Sequence, residues 1–289
     1  MFAAAKNILR ENLISRGTWV GTSSRFADVS ALIADLRPLG HEPGLKRFGP
    51  PGDGGYLMPD DLDGVNACVS PGISTEVGFD LDVAERGIDV YMADASVPGP
   101  PFDHERFHFT RKFLDTYNSE TTVTINDFCD DIPGDGDLIL QMDIEGAEFR
   151  VLTSASEDTL TRFRIMAIEF RDLENLFSNV GFREMNAVFR RLLRTHAVVH
   201  IHPNNTLNAV KCGDLTVPKL LEFTFYRRDR LRPSTQPLQF PHHLDAQCYP
   251  NAPPLVLPTC WQPQVAQRFD ESATILATAQ LAGTHRGGL

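Results

Sequence analysis

The sequence predicts an α/β fold built on a mainly parallel sheet with helices on both faces. Three observations carry this expectation. Short apolar runs alternate with segments of helical periodicity along most of the 289 residues. The run from Asp137 to Met142 (DLILQM) reads as a strongly buried strand. Acidic and glycine residues follow the strands directly, and in such sheets ligands collect beyond the carboxyl ends of the strands.

Residues 1–45 read as a polar helical extension, broken by Pro38 and Gly40. Its first part is amphipathic, with Phe2, Ile8, Leu9 and Leu13 toward one side, and packs on its own domain or on a second subunit. The turn-rich KRFGPPGDGGYLMPDD follows and opens the central domain, residues 46–232. Strands are expected at Val65 to Ser70, Ile88 to Ala93, Phe107 to Thr110, Thr121 to Ile125, Asp137 to Met142 and Ile165 to Phe170. Ala197 to His202 and Leu221 to Tyr226 are two more β-rich runs that pair at the far edge. Helices are expected at Thr75 to Arg86, ended by Gly87, and at Gly146 to Ala155 and Glu184 to Arg194. Residues 233–289, rich in Pro and His, read as a wrapping arm with a tail frayed after Thr274.

Composition narrows the function. The formal charge is −11, and a net-acidic surface argues against nucleic acid and anionic lipid as partners. No apolar run reaches the ~20 residues that span a bilayer, and the N-terminus lacks the order of a secretory signal. Five cysteines without a CxxC pair fit reduced thiols in a cytoplasmic protein, each read as a small buried apolar residue.

The strand ends carry the candidate chemistry. Ser70-Pro71-Gly72-Ile73-Ser74-Thr75 is a strand-turn-helix loop whose glycine allows a ligand close to the backbone, with Ser74 or Thr75 as helix cap. It is not GxGxxG, and a plain turn accounts for it equally. Asp94 stands 22 positions after Gly72, where an acid can accept both ribose hydroxyls. In LQMDIEGAEFRVL, Asp143, Glu145 and Glu148 cluster, and such carboxylates need a metal, a sulfonium charge or a substrate proton. Glu148 also suits the first turn of a helix. Glu169 ends the next strand, and His200 and His202 share a face further on. Two carboxylates and a histidine make either a Mg²⁺ or Mn²⁺ site or an acid–base cluster.

These segments resemble the FkbM-type methyltransferases, a branch of the class I S-adenosylmethionine-dependent enzymes. GDGGYLMPDD, VSPGISTEVGFDLDVAERG, LQMDIEGAEFRVL with IMAIEF, and HIHPNN carry the likeness over about residues 45–255, with a weaker echo in LDAQCYPNAPP. The resemblance implies a Rossmann-like, seven-stranded, mainly parallel sheet. It also implies methyl transfer from S-adenosylmethionine to an oxygen of a sugar or other hydroxylated natural product. Carried over by position, Ser70, Gly72 and Ser74 lie along the methionine part of the cofactor, and Asp94 with Ala95 at the ribose. Asp127 flanks the adenine, and Asp143 approaches the methionine amino group or a metal. Pro71 and the Asp94-Ala95 step depart from the commoner pattern.

For the reaction, His202 or Asp143, in the acidic cluster with Glu145, takes the acceptor proton. Alternatively Mg²⁺ or Mn²⁺ on Asp143, Glu169 and His202 lowers the hydroxyl pKa. Asp53-Gly54-Gly55-Tyr56 reads either as a lid hinged on its glycines or as a turn packed on the sheet end. Pro100 to Lys112 and the C-terminal arm are expected to shape the acceptor pocket. The rival readings are a nicotinamide-dependent sugar oxidoreductase or epimerase, disfavoured by the missing GxGxxG and Tyr-x-x-x-Lys, and a non-catalytic cofactor-binding protein. A homodimer is compatible with the N-terminal helix.

Overall fold

The computed structural model describes residues 11–17, 21–234 and 237–263. Phe2, Ile8 and Leu9 of the expected N-terminal helix, and the tail after Thr274, lie outside them. The elements that position the site are α1 (Phe26–Asp35), β1 (Leu45–Phe48), β2 (Tyr56–Pro59), β3 (Ala67–Pro71), α2 (Gly78–Ala84), β4 (Asp89–Ala93), β5 (Phe107–Thr110), α3 (Ile125–Asp130), β6 (Leu138–Met142), α4 (Glu148–Ser154), β7 (Phe163–Phe170), α5 (Asn179–Thr195), β8 (His196–Pro203) and β9 (Leu221–Arg227). Seven strands form one sheet in the order β8-β9-β7-β6-β3-β4-β5. Five are joined in parallel, while β9 runs antiparallel between β7 and β8. The two late runs do pair at one edge, with β8 outermost and β9 inside it.

Both faces of the sheet are covered, which is why its central strands are apolar in consecutive positions. On one face Leu138, Leu140 and Met142 pack with Met166, Ile168 and Phe170 against residues of α1, α3, α4 and α5. Phe170 lies among Phe149, Phe189 and Phe223, with ring centroids 4.8–5.7 Å away. On the other face Ile139, Ile165 and Ala167 pack with α2 and with Phe48, Tyr56 and Met58 of the β1–β2 hairpin. The Asp53-Gly54-Gly55-Tyr56 turn belongs to this hairpin. At the rim, His41–Glu42 pairs with Arg232–Pro233. Trp261, fully buried, packs edge-on against Phe223 and donates Nε1–H to the carbonyl of Thr216 at 3.0 Å.

Two local expectations change. The strand expected over Thr121 to Ile125 is only Thr122–Val123, because Thr124 caps α3 by accepting the N–H of Asp127. Helix α2 starts at Gly78, later than expected, and neither Ser74 nor Thr75 caps it. Ser74 is in the left-handed region (φ 46°), and Glu76 Oε1 accepts the Gly78 N–H at 2.8 Å.

The amino end of β6 is tied down by charge. Asp137 accepts from Arg164 at 2.8 Å and from Arg227 at 2.6 and 2.9 Å. At the carboxyl end, Gly72 holds the chain against β6. Its φ is +86°, and a Cβ there would lie 1.8 Å from the Asp143 carbonyl oxygen. Gly72→Ala combines left-handed strain with a backbone clash. It should lower the unfolding free energy by about 2–4 kcal/mol, measured as a drop in urea midpoint at constant m-value. An unchanged midpoint would show that the two strand tips are not packed as described.

Candidate functional site

The βα loops at the carboxyl ends of β3, β4 and β6 surround a cavity of about 690 Å³. Its walls include Gly72, Ser74, Asp94, Ser96, Gln141, Asp143 and Glu145, and Asp53, Gly54 and Tyr56 of the hairpin turn complete them. The Asp94 carboxylate accepts from the Ser74 N–H at 3.1 Å, the Ser96 N–H at 2.7 Å and the Ser96 hydroxyl at 2.6 Å. These bonds fix the orientation of an acid at the cavity wall.

The DIEGAE segment makes a second rigid loop. Glu145 (φ 57°) and Gly146 (φ 97°) both adopt left-handed backbone, which turns the chain sharply into α4. Glu148 Oε1 accepts the N–H groups of Ile144 (3.0 Å) and Gly146 (3.1 Å), so this first-turn acid also braces the loop. The loop leaves Asp143 facing the cavity with one carboxylate oxygen buried and without a hydrogen-bond partner. Burial, with Glu145 and Glu148 nearby, pushes its pKa up to about 7. Glu145 is exposed and paired with Arg171 at 2.6 Å.

Beyond Asp143 the sheet register sets out a polar row. Glu169 lies directly across from Glu222, and Glu222 directly across from His202. Asp143 follows Met142, which pairs with Ile168, so it is level with Glu169. Glu169 is 3% exposed; burial, then Asp143 and Glu222, raises its pKa to about 9. Asn204 donates to it at 2.8 Å, and Arg171 lies 3.4 Å away. For His202, burial opposes the charged form, but Asp245 and Glu222 outweigh it and raise the pKa.

This row overturns the expected metal trio. Asp143 and His202 lie three strand spacings apart, roughly 14 Å at about 4.8 Å each, with Glu169 and Glu222 between them. Among the described residues Asp143, Glu169 and His202 form no ligand group. His202 instead clusters with His200 and Asp245, and with Glu222 and Cys248. The donors therefore do not fit a Mg²⁺ or Mn²⁺ ion shared by the three.

The remaining predicted residues separate clearly. Gly72, Ser74, Asp94, Asp143 and Glu145 reach the cavity, while Ser70, Ala95, Glu169 and His202 do not line it. Ser70 is buried within β3 and donates to Gln141 at 2.9 Å. Asp127 is exposed in the first turn of α3, accepting from Asn118 at 2.8 Å and from Thr124. The segment after β5 reaches the cavity through Phe113–Leu114, a short strand paired with Thr122–Val123, and through Asp115, which pairs with Arg150 at 3.3 Å. No residue of 100–112 lines it. Phe113 and Asp115 follow a strand end as Asp94 does, which is the signal that could have found them.

The hairpin turn is pinned rather than hinged. Arg47 donates to the carbonyls of Pro50 (3.0 Å), Gly55 (2.9 Å) and Leu244 (3.0 Å). A Cβ on Gly55 would lie 2.0 Å from the Pro50 oxygen, so glycine is there for close packing.

The cavity thus brings together a glycine packed on the β6 tip, an oriented acid at the end of β4 on one side of β3, and an acidic tip at the end of β6 on the other. The fold is similar to that of a methyltransferase FkbM from Methylobacillus flagellatus KT, at 14% identity and TM-score 0.32 over 55% of this chain and 43% of that one. An rRNA methylase from Streptococcus thermophilus matches at 9% identity and TM-score 0.31, over 68% of this chain and 93% of that one. This chain thus spans less than half the length of the first. No curated protein matches the sequence. Residues 74–194, from the cavity loop through α4 and β7 into α5, match the model of the methyltransferase FkbM domain.

Proposed function

We propose that this chain is a methyltransferase that acts on a hydroxyl oxygen of a small polar acceptor, a sugar or other hydroxylated natural product, with Asp143 as the base. The observation that carries the reading is the Asp143 carboxylate, aimed into the cavity with a buried, unpartnered oxygen and a pKa near 7. S-adenosylmethionine, which the family uses, supplies when bound a methyl group already activated on sulfur.

The residues of this chain would act around it. Asp94, oriented by Ser74 and Ser96, accepts the ribose hydroxyls. Gly72 admits the methionine part beside the Asp143 backbone. Phe113 and Leu114 offer an apolar wall for the base. An acceptor hydroxyl must lose its proton as the new C–O bond forms, and a base with pKa near the working pH does this best. Asp53, Tyr56 and Arg150 add a polar lining suited to a polyhydroxylated acceptor. Holding the two reactants in line is itself worth about 7–11 kcal/mol.

Two measurements test this. In calorimetry the wild type should bind S-adenosylhomocysteine, and Asp94→Ala should weaken binding about 10- to 100-fold, as loss of hydrogen bonds to a charged acceptor group requires. No binding by the wild type would end the cofactor reading. With an acceptor found by screening, kcat/KM should rise with pH through about 7 as Asp143 loses its proton. Asp143→Asn should abolish that rise and lower kcat about 10²- to 10⁴-fold while still binding the cofactor product. A variant of near wild-type rate would remove Asp143 as base.

A further inference from the structure

Outside the cavity of the βα loops, one cluster combines metal-type donors, burial and an imidazole whose ring nitrogens make no hydrogen bond. His202 on β8, Glu222 on β9 and Cys248 on the C-terminal segment place one ligand atom each within 4.8 Å of one another. All three residues are at least nine-tenths buried, and none lines the cavity. Both ring nitrogens of His202 lack a hydrogen-bond partner. An unsatisfied buried polar group costs about 1–3 kcal/mol, and with Asp245 near Nδ1 it is Nε2 that calls for a ligand.

The surroundings say which ligand. Nδ1 of His202 faces Asp245 at 3.5 Å, beyond good hydrogen-bond geometry but as an ion-pair neighbour. Asp245 is itself fixed by His200 at 2.9 Å and by the His242 N–H at 2.7 Å. A carboxylate behind an imidazole is the usual arrangement that orients a metal-ligating histidine. This leaves Nε2 to share a ligand with Glu222 and Cys248, whose Sγ already lies 3.1 Å from Glu222 Oε1.

We propose that His202, Glu222 and Cys248 form a site for a zinc-class divalent cation that ties the C-terminal segment to the carboxyl end of β8 and the amino end of the antiparallel β9. Thiolate and imidazole donors favour Zn²⁺ over Mg²⁺ or Mn²⁺. Two anionic donors and a dication sum to zero charge, which a buried chamber needs. Tetrahedral binding draws the ligand atoms in to about 3.5 Å from one another. In the binding step the Cys248 S–H bond is replaced by a sulfur–zinc bond and the thiol proton goes to solvent, as does the His202 proton where the ring is charged.

The test uses the untagged full-length protein, stripped with chelator and titrated with Zn²⁺ against a chromophoric competitor, and with Co²⁺ as a spectroscopic probe. The expected result is one Zn²⁺ per chain, thiolate-to-cobalt charge-transfer absorption, and a rise in melting temperature on adding Zn²⁺. Cys248→Ser should lose the charge-transfer band and the thermal shift. Asp245→Asn should weaken Zn²⁺ binding about 10- to 100-fold, and His202→Ala more. Replacing the exposed Cys212 by Ser should change none of these. Failure of the stripped wild type to bind Zn²⁺, or cobalt absorption without a thiolate band, would overturn the proposal without any variant having to fold. Neither result depends on cofactor or acceptor, so the methyl-transfer reading is tested separately.

Discussion

One constraint organises the carboxyl edge of this sheet: strand register sets Asp143, Glu169, Glu222 and His202 side by side across four neighbouring strands. Alternation along a strand then decides where they point. Ile168, Phe170, Leu221, Phe223 and Ile201 fill one face, so Glu169, Glu222 and His202 between them must turn to the other, beneath the hairpin turn and the C-terminal segment. Three acids in a row in a buried setting repel one another and resist ionisation. The chain answers with Arg171 beside Glu169 and Glu145, Asn204 on Glu169 and His202 beside Glu222.

The wall over this row follows from it. Asn204 donates to Glu169 and lies 3.4 Å from Asp53, so the hairpin turn and the end of β8 meet over the acids. Arg47 binds both the turn and the Leu244 carbonyl. Turn, sheet edge and C-terminal segment are therefore one braced structure. A pinned wall favours fixed placement of an acceptor over closure of a lid.

Much of this was legible in the sequence. Apolar runs of Val, Ile and Leu mark strands covered on both faces, and the acids after them mark the cavity, which is why Gly72, Asp94 and Asp143 could be named from spacing alone. The errors are equally physical. The position of β9 between β7 and β8 depends on tertiary pairing that no local pattern encodes, so Glu222 was missed and Asp143 was placed too near His202. Asp127 stands with Thr124, three residues before it, at a helix start. Cys248 reads as one more buried apolar residue until the fold brings it from a distant segment to Glu222.

The two ends of the sheet show what separates a scaffold from a site. At the amino ends Asp61 and Asp137 are also partly buried, yet Arg230, Arg164 and Arg227 outweigh that burial and hold both carboxylates below their ordinary pKa. At the carboxyl ends the same kind of side chain is pushed the other way, Asp143 to about 7 and Glu169 to about 9. Three arginines serve two acids below, whereas above Arg171 alone is shared by Glu145 and Glu169. Stability alone would favour pairing at both ends. A sheet that satisfies its carboxylates at one edge leaves its perturbed acids at the other, the edge where its glycine loop and its oriented Asp94 also stand.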